Sequence, residues 1–341
     1  MERTPDIRGT DGMAACLQGW VETHLGADKV AANVTRMPGH SGLLYGFDVL
    51  AGAETAERLV IRVPPPGVRQ KNNQDVLRQV PVLRLLEQHG VPAPRARYWG
   101  GETVWFSVPY LMMSRLAGRP PGDVFDPANG AVPDAAAAER LFGQAVGALQ
   151  RMHRIDAASA LADWEPPRLI RDEIDHWIPI LEKTSDPDWI AQGKRARDAL
   201  HANAPADPEP GLLHGDYYSN NWLFHEGRLT GIVDWESVSL GPRLLDLGWL
   251  CMMYDPECWG PARRAHMHWC PPPAFFLERY AAAGGLIADI DWYRAQAGYR
   301  LGCLTAYYYE LHRKGRRHDP AWEVLAESFE RLMRRAVALG G

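Results

Sequence analysis

An α+β fold is predicted by three observations. The first third of the chain is a series of short strand-like segments, the remainder is dominated by helical patterns, and a Gly/Pro-rich connector at residues 116–122 separates them. Strands and helices segregated in this way build an antiparallel sheet with helices to one side or end, whereas alternation of the two would build a parallel sheet.

The elements follow in order. Cys16, Leu17, Trp20, Val21 and Leu25 recur at helical spacing and predict a short amphipathic helix over 14–25. Strands are predicted at 33–37, 43–50 and 58–63. Pro38-Gly39-His40-Ser41-Gly42 joins the first two, and Ala51-Gly52-Ala53-Glu54 the next pair. The third strand stops at Pro64-Pro65-Pro66-Gly67, because proline has no amide for the ladder. A helix is expected over 75–89, ending at Gly90. Pro81 either kinks it or lies in its first turn. Two more strands are expected at 95–98 and 105–113.

Beyond the connector, Asp134 can cap a helix whose Leu141, Phe142, Ala145, Val146, Leu149 and Met152 share a face. Helices are expected over 170–181 and 189–201, then a loop at 205–210. A hairpin of 222–224 and 229–233 turns at 225–228, and helices over 274–283, 292–311 and 321–337 complete the chain.

The chemistry concentrates between Leu212 and Leu250. His214-Gly215-Asp216 is followed five residues on by Asn221, and Asp234-Trp235-Glu236 ends the apolar run of the hairpin. Two carboxylates and a carboxamide suit Mg²⁺-assisted phosphoryl transfer, in which one carboxylate aims the attacking hydroxyl and oxygen donors hold the metal on the nucleotide. Asp216 is the candidate hydroxyl-orienting base. Asn221 and Asp234 are the candidate metal ligands.

HGD, the Asn after it and IVDWE together resemble the aminoglycoside phosphotransferase family, the small-molecule branch of the protein-kinase-like fold. The resemblance implies a β-rich nucleotide-binding lobe over 1–115 and a helical catalytic and acceptor-binding lobe over 116–341. It implies ATP as phosphoryl donor, with GTP as the alternative, Mg²⁺ as cofactor and a small-molecule hydroxyl as acceptor. Gly39, His40, Ser41 and Gly42 would fold over the phosphates, and Arg62 stands where the family places a phosphate-binding lysine. A guanidinium can bind two phosphate oxygens at once. The strand ending in Arg62 before a proline-rich turn resembles a subgroup of bacterial and acyl-CoA-dehydrogenase-linked phosphotransferases. The helical glutamate that normally pairs with that cation is replaced by Gln79, with Glu87 as an alternative partner. Met113 would pack beside the base, whose edge the backbone of Ser114 to Leu116 would read. His214 is expected to be structural and Asp246 to brace the Asp216 loop. Glu236 is either a second metal ligand or a supporting group. The competing reading is a nucleotide-binding but catalytically silent module, suggested by Arg62 with Gln79.

Composition narrows the rest. A net charge of −5 argues against a nucleic-acid binder, and the lack of an 18-residue apolar run argues against a membrane span. The opening residues have no apolar signal core, and five scattered cysteines are no disulfide framework, so a cytoplasmic monomer or homodimer is expected. Cys251, Cys258, His266, His268 and Cys270 match no zinc spacing. Acids and bases are in near balance after residue 255, with 9 Asp and Glu against 12 Lys and Arg, which favours an uncharged, partly apolar acceptor over a polycation.

Overall fold

In the computed structural model, the described residues are 6–38, 42–65, 67–68, 71, 74–122 and 132–341. The chain divides into two compact units. One comprises 1–117 with 230–237, the other 118–229 with 238–341.

The first unit is built on an antiparallel sheet of order β1-β2-β3-β5-β4: β1 Lys29–Met37, β2 Leu43–Ala51, β3 Glu54–Val63, β4 Ala96–Gly100 and β5 Tyr110–Ser114. Strand side chains alternate between faces. Tyr45, Phe47 and Val49, with Leu59, Ile61, Val63, Tyr110 and Met112, therefore share a buried face. Helix α1 (Thr10–Leu25) covers it with Met13, Cys16, Leu17, Trp20 and Val21, all buried. Each such side chain contributes roughly 1.5–3 kcal/mol on burial, so packing rather than helix propensity holds α1. Trp20 donates its indole N–H to the Tyr110 hydroxyl at 2.9 Å. By the same parity Val60, Arg62, Leu111 and Met113 fall on the opposite face.

Three expectations for this unit are refined. The helix expected over 75–89 begins as a 3-10 turn, Val76–Arg78, and continues as α2, Gln79–Gln88. Pro81 thus falls in the first α-helical turn, where no amide is needed. The strand expected over 105–113 starts only at Tyr110. Ser107 is left-handed (φ 61°) and Pro109 has no amide to pair. Gly39, His40, Ser41 and Pro66 lie outside the described residues.

The second unit contains α3 (Ala135–His153), α4 (Ala157–Ala160), α5 (Ile170–Asp175), α6 (Ile178–Leu181), α7 (Pro187–Ala202), α8 (Leu244–Met253), α9 (Pro261–Arg264), α10 (Pro273–Ala282), α11 (Ile290–Arg313), α12 (Ala321–Ala326) and α13 (Phe329–Gly340). Asp134 caps α3 by accepting from the Ala137 amide at 2.7 Å. The helix expected over 170–181 is broken in two, because Pro179 would clash with the Asp175 carbonyl. The one expected over 321–337 breaks at Ser328, whose hydroxyl accepts the Gly260 amide at 3.0 Å. A central core joins α7, α8, α11 and α13 through Leu200, Leu245, Tyr299, Phe329 and Met333. Gly248 is the close approach that fixes α8 on α11. A Cβ there would lie 2.5 Å from the Tyr293 carbonyl oxygen.

Two short ladders frame the motif region. β6 (Gly211–Leu213) pairs antiparallel with β9 (Ser239–Gly241), a pairing with no counterpart among the sequence expectations. β7 (Trp222–His225) pairs with β8 (Arg228–Ile232) across Glu226-Gly227, both at positive φ (49° and 75°). Such a primed two-residue turn suits the twist of a hairpin.

Candidate active site

The Asp216 loop leaves the end of β6, and its backbone is held from behind. Asp246, in the first turn of α8 and 1% exposed, accepts the His214 amide at 2.7 Å on one oxygen and the Gly215 amide at 2.8 Å on the other. Gly215 supplies the left-handed turn (φ 81°) that aims both amides the same way. His153 Nε2 lies 3.5 Å from the same carboxylate, and its Nδ1 is 2.8 Å from the Tyr280 hydroxyl. This histidine was not singled out in the sequence. Its partners lie roughly 90 and 130 residues away, beyond any local spacing rule.

Within the loop, His214 is fully buried and its Nδ1 accepts the Asp216 amide at 3.2 Å. That bond places the ring proton on Nε2. Asn221 donates its side-chain amide to the Asp216 backbone oxygen at 2.8 Å and to its carboxylate at 3.0 Å. With the NH₂ end committed to Asp216, the carbonyl end is the part of Asn221 suited to a hard cation.

In the first unit, β8 delivers Asp234 into a left-handed conformation, φ 63°. A non-glycine residue held there costs of order 1 kcal/mol or more, a strain that concentrates at functional positions. Trp235, buried, donates its indole N–H back to the Ile232 carbonyl at 2.8 Å and so pins the segment. Asp234 and Glu236 both receive Arg62. The guanidinium lies 3.3 Å from the Asp234 carboxylate and in closer contact with that of Glu236. Burial, reinforced by the neighbouring charge of Asp234, pushes the Glu236 carboxyl up to about 7, against the pull of Arg62.

The sequence had looked to α2 for the partner of Arg62. Gln79 opens that helix and is buried, its side-chain NH₂ without a hydrogen-bond partner among the described residues. Glu87 pairs with the exposed Arg95 at 3.3 Å. The residue that reaches the Asp234–Glu236 segment from this side is Arg78, donating to the Glu236 carbonyl at 3.0 Å.

Gly42 packs against β3, its would-be Cβ 3.1 Å from the Val63 carbonyl oxygen. Met113 and Ser114 end β5 opposite Val60 and Leu59. The Ser114 and Arg115 amides are already used, donating to Arg95 and Arg58 carbonyls at 2.9 Å each. Leu116 packs on Gly231, where a Cβ would meet its side chain. Among the described residues no group of three or more His, Cys, Asp and Glu is arranged to hold a metal by itself, and no helix is long and apolar enough to cross a membrane.

Comparison with known proteins places this arrangement. The model of the phosphotransferase enzyme family matches residues 46–297. Among curated proteins, probable acyl-CoA dehydrogenase IBR3 of Arabidopsis thaliana is 29% identical over 231 residues, 63% of this chain and 27% of that protein. Acyl-CoA dehydrogenase family member 11 of Gallus gallus is 26% identical over 57% of this chain and 25% of its own length. The chain thus spans about a quarter of the length of these relatives. Among solved structures, a candidate aminoglycoside phosphotransferase of Ralstonia eutropha superimposes with a TM-score of 0.75 at 19% identity, covering 96% of this chain and 97% of the other. The aminoglycoside phosphotransferase APH(4)-Ia, solved with AMP-PNP and hygromycin B, follows at 0.60 and 16%, covering 95% and 97%. The fold is that of the kinase-like phosphotransferases, and the chain belongs to the phosphotransferase enzyme family.

Proposed function

We propose that the protein transfers the γ-phosphate of ATP to a hydroxyl group of a small molecule. The observation that carries this reading is the loop at Asp216, where a carboxylate is positioned by Asn221 while its backbone is anchored by a buried Asp246. Phosphoryl transfer relies on positioning and charge stabilisation more than on covalent chemistry, and a carboxylate so held can aim a hydroxyl and accept its proton late. The carbonyl oxygen of Asn221 and the carboxylate of Asp234, 43% exposed, are chemically suited to Mg²⁺, which prefers hard oxygen donors. Held by donors of this kind, Mg²⁺ would neutralise phosphate charge. Arg62 is the proposed phosphate contact from β3, and Gly42 belongs to the proposed phosphate loop. Met113, Ser114 and Leu116 would meet the base. His214, Gln79 and Glu236 would support these groups. GTP is the alternative donor. The nucleotide analogue and small-molecule acceptor named for APH(4)-Ia support the same class of reaction here.

A second reading, a nucleotide-binding but silent module, draws on Arg62 being engaged by Asp234 and Glu236. One experiment separates them. A ³¹P assay with Mg²⁺-ATP and pooled hydroxyl metabolites and antibiotics should yield a new phosphomonoester, lost in Asp216→Asn. ATP binding with no transfer to any member of broad pools would support the silent module instead.

A further inference from the structure

Arg294 and Arg300 lie six residues apart on α11 and are neutralised differently. Arg294 is held by two carboxylates, Asp255 at 2.9 Å and Asp291 at 2.7 Å. Arg300 has no carboxylate at ion-pair distance among the described residues. Its guanidinium is instead pressed between two indoles, 4.4 Å from the ring centre of Trp249 and 5.0 Å from that of Trp177. Nε of Arg300 and the indole nitrogens of both tryptophans are sealed from solvent without a hydrogen-bond partner among the described residues. The three neighbouring groups thus present a surplus of donors. The arginine as a whole keeps part of its surface exposed, and neither terminal nitrogen of its guanidinium is among the sealed atoms.

Stacking does not account for this arrangement by itself. A cation on an aromatic face gains less than it costs to withdraw a guanidinium from water. Burial accordingly lowers the Arg300 pKa, against the opposing pull of Glu173, Asp216 and Asp246. Those carboxylates already have partners: Glu173 pairs with Arg168 at 2.9 Å, Asp246 with the two loop amides, Asp216 with Asn221. The position is equally specific. Asp246, which anchors the Asp216 loop, and Trp249, which flanks Arg300, are three residues apart on α8 and so share a side of that helix. One helical turn therefore links the proposed hydroxyl-orienting loop to a cation that no carboxylate among the described residues meets at ion-pair distance.

We infer that Arg300, clamped between Trp177 and Trp249, binds an anionic group, a carboxylate or a phosphate, carried by the acceptor whose hydroxyl faces Asp216. A planar guanidinium can receive two oxygens at once along its edge, and stacking over indole faces leaves that edge unused. The inference rests on the kinase reading and revises the expectation of an uncharged acceptor.

The test is calorimetric titration of the whole protein, loaded with Mg²⁺ and a non-hydrolysable ATP analogue. The titrants are inorganic phosphate, short hydroxycarboxylates, polyol monophosphates, and the neutral amides and parent polyols matched to them. At least one anion should bind about tenfold or more tighter than its neutral twin, the size of a charge-assisted pair. That preference should vanish in Arg300→Met and be partly kept in Arg300→Lys. The wild-type comparison and the Lys variant retain the test if the Met variant does not fold. Preference for the carboxylates or for the phosphates identifies which anion the site takes. Neutral twins binding as well as the anions, a preference unchanged in Arg300→Met, or no binding by any anion including inorganic phosphate overturns the inference. Selective anion binding lost in Arg300→Met, with no phosphoryl transfer from ATP in the ³¹P assay, would keep the anion site at Arg300 and overturn the kinase reading, and with it the ligand's role as acceptor.

Discussion

The Asp216 loop and the Asp234 loop each present a carboxylate, and they are secured by different means. The first is held through its backbone: a buried acid, Asp246, takes two of its amides, and a glycine absorbs the left-handed turn. The second is held through its side chains: Asp234 itself takes the left-handed conformation, and its charge is met by Arg62. A carboxylate whose loop is fixed through the backbone does not need its own oxygens to hold that loop in place, and here one of them meets Asn221. One fixed by a counter-ion has that counter-ion as a competitor for whatever binds it. The contrast suits the proposed roles, a fixed carboxylate that aims a hydroxyl at Asp216 and a carboxylate that can exchange one cation for another at Asp234.

The largest expected effect falls on the first loop. Asp216→Asn should leave folding and nucleotide binding close to wild type while lowering transfer roughly 10²–10⁴-fold, the scale of general-base and positioning contributions. Near-normal turnover on the true acceptor would mean that Asp216 has been misassigned.

Next comes the contrast in anchoring. Asp246→Ala strands the buried His214 amide and the part-buried Gly215 amide, at about 1–3 kcal/mol each, so chemical denaturation should show a loss of roughly 2–6 kcal/mol. Asp234→Ala removes a half-exposed partner, should cost about 1 kcal/mol or less, and should instead weaken Mg²⁺-dependent nucleotide binding. Equal destabilisation by the two substitutions would erase the distinction drawn between the loops.

Arg62 sharpens it further. If it serves phosphate as well as the two carboxylates, Arg62→Met should raise the nucleotide KM by about tenfold, and Arg62→Lys by less, since a point charge lacks the two-pronged geometry. A KM unchanged in Arg62→Met, with only stability reduced, would confine Arg62 to the ion pair.

Gly227→Ala should have the smallest effect. Its would-be Cβ has nothing within 4 Å, so only the backbone penalty at φ 75° remains. That penalty is about 1 kcal/mol on the melting transition, with activity intact. A larger loss, or a loss of activity, would show that the hairpin does more than connect.

What could be read from the chain depended on how local each signal is. Helix α3 was legible because nineteen residues repeat one apolar stripe behind a capping aspartate. The motif residues were legible because their spacing is set within one excursion, from Leu213 to Ser239. The three-residue strands that bound that excursion are too short to show an alternation. The partners of Arg62 were sought in the neighbouring helix, whereas they come from 172 and 174 residues downstream. Arg300 was invisible for a related reason. Its environment is assembled from α11, α8 and the break between α5 and α6, and sequence reading had joined α5 and α6 into one helix across Pro179.

The discontinuity of the first unit has a consequence for how the protein is made. Residues 1–117 leave the ribosome well before 230–237, which belong to the same compact unit. Until then the sheet and α1 can form, but Arg62 has neither Asp234 nor Glu236 to meet it. Domains fold as they emerge, at about 5–20 residues per second, so the first unit waits roughly 6–24 s for its last segment. A nascent chain halted once residues 1–117 have emerged should therefore be more open to protease around β3 than one halted far enough past Ser237 for that segment to have emerged as well.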